Sequence, residues 1–265
     1  FFNEETARQI CDEYGQADAV LGANVICHIP DLHSIFAGLD VLLKPTGVFV
    51  FEEPYLGDIV EKASYDQVYD EHFFYFSLHS VRSLARRHGM ELIDVLPQSV
   101  HGGSMRYVIA RQGSHRPTAS VAEILNREID NGLAHAATFV RLSERIDASR
   151  DALVGLLQEL KGQGKRIAGY GATSKSTTVT NFCGIGPDLV EFISDTTPGK
   201  QGKLSPGVHI PVVPYSHFAE SRPDVALLFA WNHAPEILAN ETAFRAGGGQ
   251  FVVYVPEVRI LDDKT

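Results

Sequence analysis

Tyr69-Asp70-Glu71-His72 gathers a phenol, carboxylates and an imidazole within four residues, and Phe73, Phe74, Tyr75 and Phe76 follow without a break. Groups able to give and take a proton, beside aromatic walls that exclude water, are the ingredients of acid–base chemistry. Such groups are costly to place against an apolar run unless they work or are paired. His72 can be neutral near pH 7 and suits a base. Tyr69 suits a donor to an oxygen that gathers negative charge. Glu71 can steady a charged imidazole, yet adjacent residues on a helix point apart, so contact with a polar ligand stays equally open for it. The blander alternative is an exposed polar loop beside core aromatics.

Other candidates sit where strands end. His28 follows AVLGANVIC and Glu53 follows Val48–Phe51. Both stand beyond a strand's carboxyl end, where open α/β sheets place reactive groups. The pair Glu52/Glu53 has no His or Asp at a compatible spacing, so metal binding is set aside. His101-Gly102-Gly103-Ser104 brings flexible backbone and a hydroxyl near a ligand, with Arg106 as a fork for phosphate; the alternative is a Gly turn beside a solvated arginine. Gly169-Tyr170-Gly171-Ala172-Thr173-Ser174-Lys175-Ser176 misses the dinucleotide fingerprint because Ser174 holds the third glycine position. The same residue spoils a P-loop. What remains is a strand–turn–helix junction with free N–H groups, hydroxyls and a lysine, suited to an anion. Ser174 and Lys175 are the expected diphosphate contacts. Asn232 and His233 follow Val225–Ala230 at another carboxyl edge.

The elements that must position these groups alternate. Glu4–Tyr14 has helical spacing, Ala17–Ile29 contains a short apolar strand, Leu32–Leu43 is amphipathic, and Lys44–Gly47 turns into Val48–Phe51. A helix from Leu78 to His88 and strands at Glu91–Leu96 and Met105–Arg111 follow; the last two could pair antiparallel. A long helical stretch covers Thr118–Lys161 and ends at Gly162-Gln163-Gly164. Strands at Arg166–Gly169, Val190–Ser194, Ile210–Val213, Val225–Ala230 and Phe251–Val255 then alternate with helices ending near Cys183 and spanning Pro235–Ala246. The expected class is α/β, in two lobes: residues 1–115, a helical connection at 116–164, and a Rossmann-like lobe at 165–265.

With 265 residues, 44% of them hydrophobic, the chain can bury a full core. A net charge of -10 argues against nucleic acid or an anionic membrane as main partner. Cys11, Cys27 and Cys183 form no CxxC pair, no apolar run reaches the roughly 18 residues of a membrane span and no signal peptide is visible, so a reducing cytoplasm is expected; a monomer is the expected state. Phe1-Phe2-Asn3 enters a helix without an initiator Met, which suggests a longer protein.

ADAVLGANVICHIPDL, LLKPTGVFVFEEP, VRSLARRHGMELIDV and SMRYVIAR, in this order, resemble the later half of a class I S-adenosylmethionine-dependent methyltransferase. That family's Gly-rich loop and acidic residue would lie upstream of Phe1. The resemblance places Phe2 and Asn3 beside adenine, and Ala23 and Asn24 near the methionine moiety. ANVICHIPD, YDQVYDEHFFYFS, HGGSMR and GYGATSKSTTVTNFCGIG resemble more narrowly the sugar C-methyltransferases of deoxysugar biosynthesis, in particular the C-3′-methylating branch of the tetronitrose pathway. Such enzymes methylate a carbon beside the C-4′ ketone of a dTDP-linked sugar, so a dTDP-linked ketosugar is the partner implied. They carry an N-terminal zinc domain, and zinc is expected only there. The resemblance implies His72 as base with Tyr69 and Glu71 essential nearby, His28 in the active site, and a C-terminal lobe that helps bind the nucleotide sugar. Two rivals stand beside it: a nicotinamide-dependent oxidoreductase using Gly169, Gly171 and Asp195, and a non-catalytic nucleotide-sugar module.

Overall fold

The computed structural model describes residues 2–261, which divide into two compact units. The first comprises the chain up to Val60 with Asp70–Phe139; the second comprises Glu61–Tyr69 with the chain from Val140.

In the first unit, helix α1 (Glu4–Tyr14) starts at Asn3, whose side-chain oxygen accepts the Thr6 amide at 2.8 Å. Strand β1 (Ala17–Ala23), helix α2 (Leu32–Leu42) and strand β2 (Leu43–Pro54) make a parallel crossover. Leu32, Ile35, Phe36, Leu39 and Leu42 recur at helical spacing and bury one face of α2. The turn expected at Lys44–Gly47 lies within β2, where pairing with β1 shifts register. A Cβ at Gly47 would come within 2.9 Å of the Ala17 carbonyl, so the bulge needs glycine. Helices α3 (Leu56–Lys62) and α4 (Leu78–Arg87) precede β3 (Met90–Gln98) and β4 (Ser104–Arg111). The sheet order is β1-β2-β4-β3, with β4 antiparallel to both neighbours, which decides the pairing the sequence left open.

Helix α5 (Ala119–Asp130) packs Val121, Ile124 and Leu125 into the first core, and its buried Glu128 ties down α4. The Glu128 Oε1 accepts from Tyr55 Oη at 2.9 Å and the Leu78 amide at 2.6 Å, and its Oε2 accepts the His79 amide at 3.0 Å. The helical stretch expected from Thr118 to Lys161 breaks at residues 131–135, where Gly132 turns with φ 62°. Its second part, α6 (Ala136–Gly162), sends Leu153, Leu157 and Leu160 into the second core. The apolar stripes of the two helices thus serve different cores.

The second unit continues with β5 (Ile167–Tyr170), α7 (Ser174–Cys183), β6 (Ile193–Ser194), β7 (Val212–Val213) and α8 (Tyr215–Ser221). Then come β8 (Val225–Leu228), α9 (Ala234–Asn240), α10 (Thr242–Ala246), β9 (Gln250–Val253) and β10 (Arg259–Leu261). The sheet order is β10-β9-β8-β5-β6-β7, parallel except for β10. The helix expected at Pro235–Ala246 is interrupted at Glu241, whose buried carboxylate accepts from Tyr170 Oη at 2.7 Å and Tyr215 Oη at 2.9 Å. Among the described residues no helix is long and apolar enough to cross a membrane.

Candidate active site

The first unit's reactive groups collect beyond the carboxyl ends of β1 and β2. Glu53 is fully buried at the end of β2. Its Oε1 accepts the amides of Val25 at 2.9 Å, Ile26 at 2.6 Å and Cys27 at 3.3 Å. Those charge-assisted bonds pin the short turn Ile26–His28 that follows β1. Glu53 therefore positions His28, where the sequence suggested that it lines the ligand crevice.

A second strap brings His72 to the same turn. The Phe73 amide donates to the Cys27 carbonyl at 2.9 Å, and His28 Nδ1 lies 2.7 Å from the Glu71 carbonyl oxygen. The rings of His28 and His72 meet edge to face, centroids 5.0 Å apart at 63°, and Tyr75 closes on His72 at 5.7 Å. Residues 68–72 form no helix, so the objection that neighbours on a helix point apart does not apply. A carbonyl only accepts, so His28 carries its proton on Nδ1 when neutral and presents Nε2 as a base. It is the Glu71 carbonyl that orients an imidazole here, and the imidazole is that of His28; the Glu71 side chain is exposed.

Cys27 was not singled out by sequence. One ligand atom from each of Cys27, His28 and His72 lies within 4.8 Å of the others, a grouping that spans 45 residues and that no local spacing announces. Burial first, then the Glu53 carboxylate, pushes the Cys27 thiol far above its ordinary range. It therefore stands beside the two imidazoles as a neutral thiol. Tyr69 is half-buried and ends the Glu61–Tyr69 segment that folds with the second unit; His72 follows three residues later in the first.

In HGGSMR the glycines are structural. Gly103 has φ 136°, and a Cβ there would run into the Asp58 carboxylate. Ser104, expected at the ligand, is buried with its hydroxyl donating to the Val100 carbonyl at 3.2 Å, so it secures the turn. Arg106, expected as a phosphate fork, faces Glu52 across β2 and β4 and gives it Nε at 3.0 Å and Nη2 at 2.7 Å. His101 stands exposed at the tip in a left-handed conformation, φ 56°.

Of the residues the resemblance gives to the cofactor, Ala23 and Asn24 are exposed at the carboxyl end of β1, Asn24 with φ 51°. This open strand end fits the methionine part of S-adenosylmethionine. Asn3 uses its side chain to cap α1, and Phe2 packs half-buried on the first core, both beside Gly38 of α2.

In the second unit the glycine turn is closed upon itself. Asp195 accepts the Ala172 amide at 2.8 Å and the Thr197 amide at 2.8 Å, and Lys200 Nζ lies 3.5 Å away. Burial would raise its carboxyl, but the Thr197 amide and Lys200 outweigh that and hold it below the usual range. A Cβ at Gly169 would come 2.7 Å from the Phe229 ring, so this glycine answers to packing. Thr173 caps α7, accepting the Ser176 amide at 3.1 Å, and Ser174 is exposed at its first turn. Ser174 and Lys203, the latter missed by sequence reasoning, line one cavity of about 320 Å³. Lys175 turns inward: its Nζ donates to Asn232 Oδ1 at 3.2 Å and stands 4.6 Å over the Trp231 ring. His233 is exposed, 3.9 Å from Glu236.

A family model described as "C-methyltransferase C-terminal domain" matches residues 99–256, and one described as "Methyltransferase domain" matches residues 2–95. The C-methyltransferase NovU of Streptomyces niveus is 38% identical over 261 residues, which cover 98% of this chain and 62% of that protein. The chain thus spans about three-fifths of the length of the curated relative it matches. Among solved structures, a SAM-dependent methyltransferase from Anabaena variabilis aligns over 42% of this chain and 56% of its own. That alignment has 17% identity and a TM-score of 0.32, too distant to bear on the fold. The family matches and the two α/β sheets agree with the expected Rossmann-like class. The chain belongs to the C-methyltransferase family.

Proposed function

We propose that this chain takes part in S-adenosylmethionine-dependent methylation of a carbon beside a ketone, at C-3′ of a dTDP-linked 3-amino-4-keto-deoxysugar. The observation that carries the reading is the His28–His72 pair, with His28 held as the Nδ1–H tautomer by the Glu71 carbonyl. When bound, the cofactor supplies an electrophilic methyl group. A sugar carbon can accept that group only as a carbanion equivalent, so a proton next to the ketone must leave.

His72 takes that proton, and the Nε2 lone pair of His28 lies on the neighbouring ring to receive charge or relay the proton onward. Tyr69 donates to the ketone oxygen as negative charge develops there. Glu71, exposed beside them, meets the sugar's amino group. Cys27 and Tyr75 narrow the space around His72 and limit water. Ala23 and Asn24 hold the methionine end of the cofactor, and within the second unit the cavity lined by Ser174 and Lys203 offers a hydroxyl and a cation to an anion. No observation favours the nicotinamide reading, since Asp195 is committed to its own turn.

Deuterium incorporation at C-3′ of a dTDP-4-ketosugar in heavy water, with S-adenosylhomocysteine present, tests this directly. Wild type is expected to exchange, and His72→Asn and Tyr69→Phe to lose exchange by about 100-fold or more while still binding dTDP. Wild type that never exchanges would overturn the proposal.

A further inference from the structure

Asp66 has no part in that chemistry, yet it is fully buried in the second unit. Its Oδ2 accepts from Trp231 Nε1 at 2.6 Å and from Tyr254 Oη at 2.9 Å, and its Oδ1 has no hydrogen-bond partner among the described residues. Burial pushes this carboxyl up, and the charge of Lys175 opposes the push. Lys175 is itself pulled down by burial and held up by Asp66. Each charge offsets part of the other's burial penalty, and for both groups burial is the larger effect.

The location is telling. The chain leaves β5 toward β6 on one side, while β8 flanks β5 on the other. The crevice beyond the carboxyl ends of β5 and β8 is therefore the switch point where open α/β sheets take their ligands. Lys175 stands just after β5, and Trp231 and Asn232 just after β8. The turn Tyr65–Gln67 packs against α7 at this place, with Tyr65 buried among Val179, Cys183 and Tyr254.

We infer that the switch-point crevice of the second unit is a docking site for the chain's own Tyr65–Gln67 turn, latched by Asp66 with Lys175, Trp231 and Tyr254. Lys175 is then a positioning residue, acting through Asp66 on Tyr69 three positions downstream, and not a diphosphate ligand. The link to Tyr69 rests on the reading of Tyr69 as the donor to the ketone; the latch itself does not.

Hydrogen–deuterium exchange of residues 61–69 and calorimetric binding of dTDP separate these cases. Variants are Asp66→Asn, Lys175→Met, their combination, and Trp231→Phe, which keeps a ring but removes the donor. Each single charge deletion leaves one buried charge unpaired, and is expected to speed exchange at Gln67–Tyr69 by about tenfold or more. The double variant restores neutrality and is expected to return exchange to within about threefold of wild type, with dTDP affinity within about twofold. Trp231→Phe, the mildest change, is expected to speed exchange by about threefold and covers the case in which a single charge deletion fails to fold. Unchanged exchange in the foldable variants, or a double variant that loses dTDP affinity about tenfold, overturns the latch and returns Lys175 to the diphosphate. In the single variants kcat for methylation is expected to fall with KM unchanged. A latch confirmed by exchange with kcat unmoved would refute the role of Tyr69 alone.

Discussion

His28 Nδ1 lies 2.7 Å from the carbonyl oxygen of Glu71, an atom that can only accept. The neutral ring is thereby fixed with its proton on Nδ1, which leaves Nε2 as the basic atom of a ring whose centroid lies 5.0 Å from that of His72. Long-range proton–nitrogen spectra of the imidazoles check this: His28 is expected as the Nδ1–H form, and an Nε2–H signal would remove it as a base. His28→Asn keeps a donor for the Glu71 carbonyl while deleting Nε2. Folding should then change by less than about 0.5 kcal/mol while sugar-proton exchange slows by about 100-fold.

The same turn depends on one carboxylate. Glu53 Oε1 receives the amides of Val25, Ile26 and Cys27 inside the protein, so Glu53→Ala leaves buried donors without an acceptor. A loss of about 3 kcal/mol is expected, read from the urea midpoint, with Glu53→Gln losing less because its carbonyl still accepts. Equal stability of all three proteins would show that the turn holds without Glu53.

The chemistry-bearing stretch was legible because phenol, carboxylate and imidazole stand together beside aromatics in Tyr69–Phe76. The βαβ crossover was legible because Leu32 to Leu42 keeps helical spacing between two apolar strands. What escaped is long-range. Cys27 joins His28 and His72 across the fold, and Asp66 meets Trp231 and Tyr254 from 165 and 188 residues away. Local pattern carries no trace of such partners. The protein partners of Arg106 and Ser104 went unread for a related reason: a ligand-like residue type in a Gly turn reads the same whether its partner is a phosphate or Glu52. Strand alternation does put Glu52 and Arg106 on one face, but only once the β2–β4 register is known.

Gly169 separates packing from cofactor binding. A Cβ there would meet Phe229 at 2.7 Å and Ile193 at 2.9 Å, both in the second core. Gly169→Ala is expected to cost about 2 kcal/mol in the absence of any ligand, by urea unfolding. Phe229→Leu added to it should recover part of that loss by vacating the ring's space. A variant as stable as wild type would mean the strand yields easily there, and the glycine would need another explanation.

Alkaline pH should weaken the fold, and the sign follows from the buried acids. Burial raises Tyr65 and Tyr55, with Cys183 and Glu128 adding to it respectively, and burial with Glu53 raises Cys27. These groups keep their protons in the native state. In the unfolded chain the thiol ionises near its ordinary value of about 8.5 and the phenols near about 10. The native state then binds more protons than the unfolded state, so stability is intact below about pH 8.5 and falls as pH rises beyond it, by up to about 1.4 kcal/mol per pH unit for each group. Urea midpoints measured from neutral pH upward should begin to drop near the thiol value and steepen near the phenol value, and Cys27→Ala should remove part of the first drop, the buried Cys183 thiol supplying the rest. A midpoint that stays level through the phenol range would show that these side chains reach solvent in the folded protein.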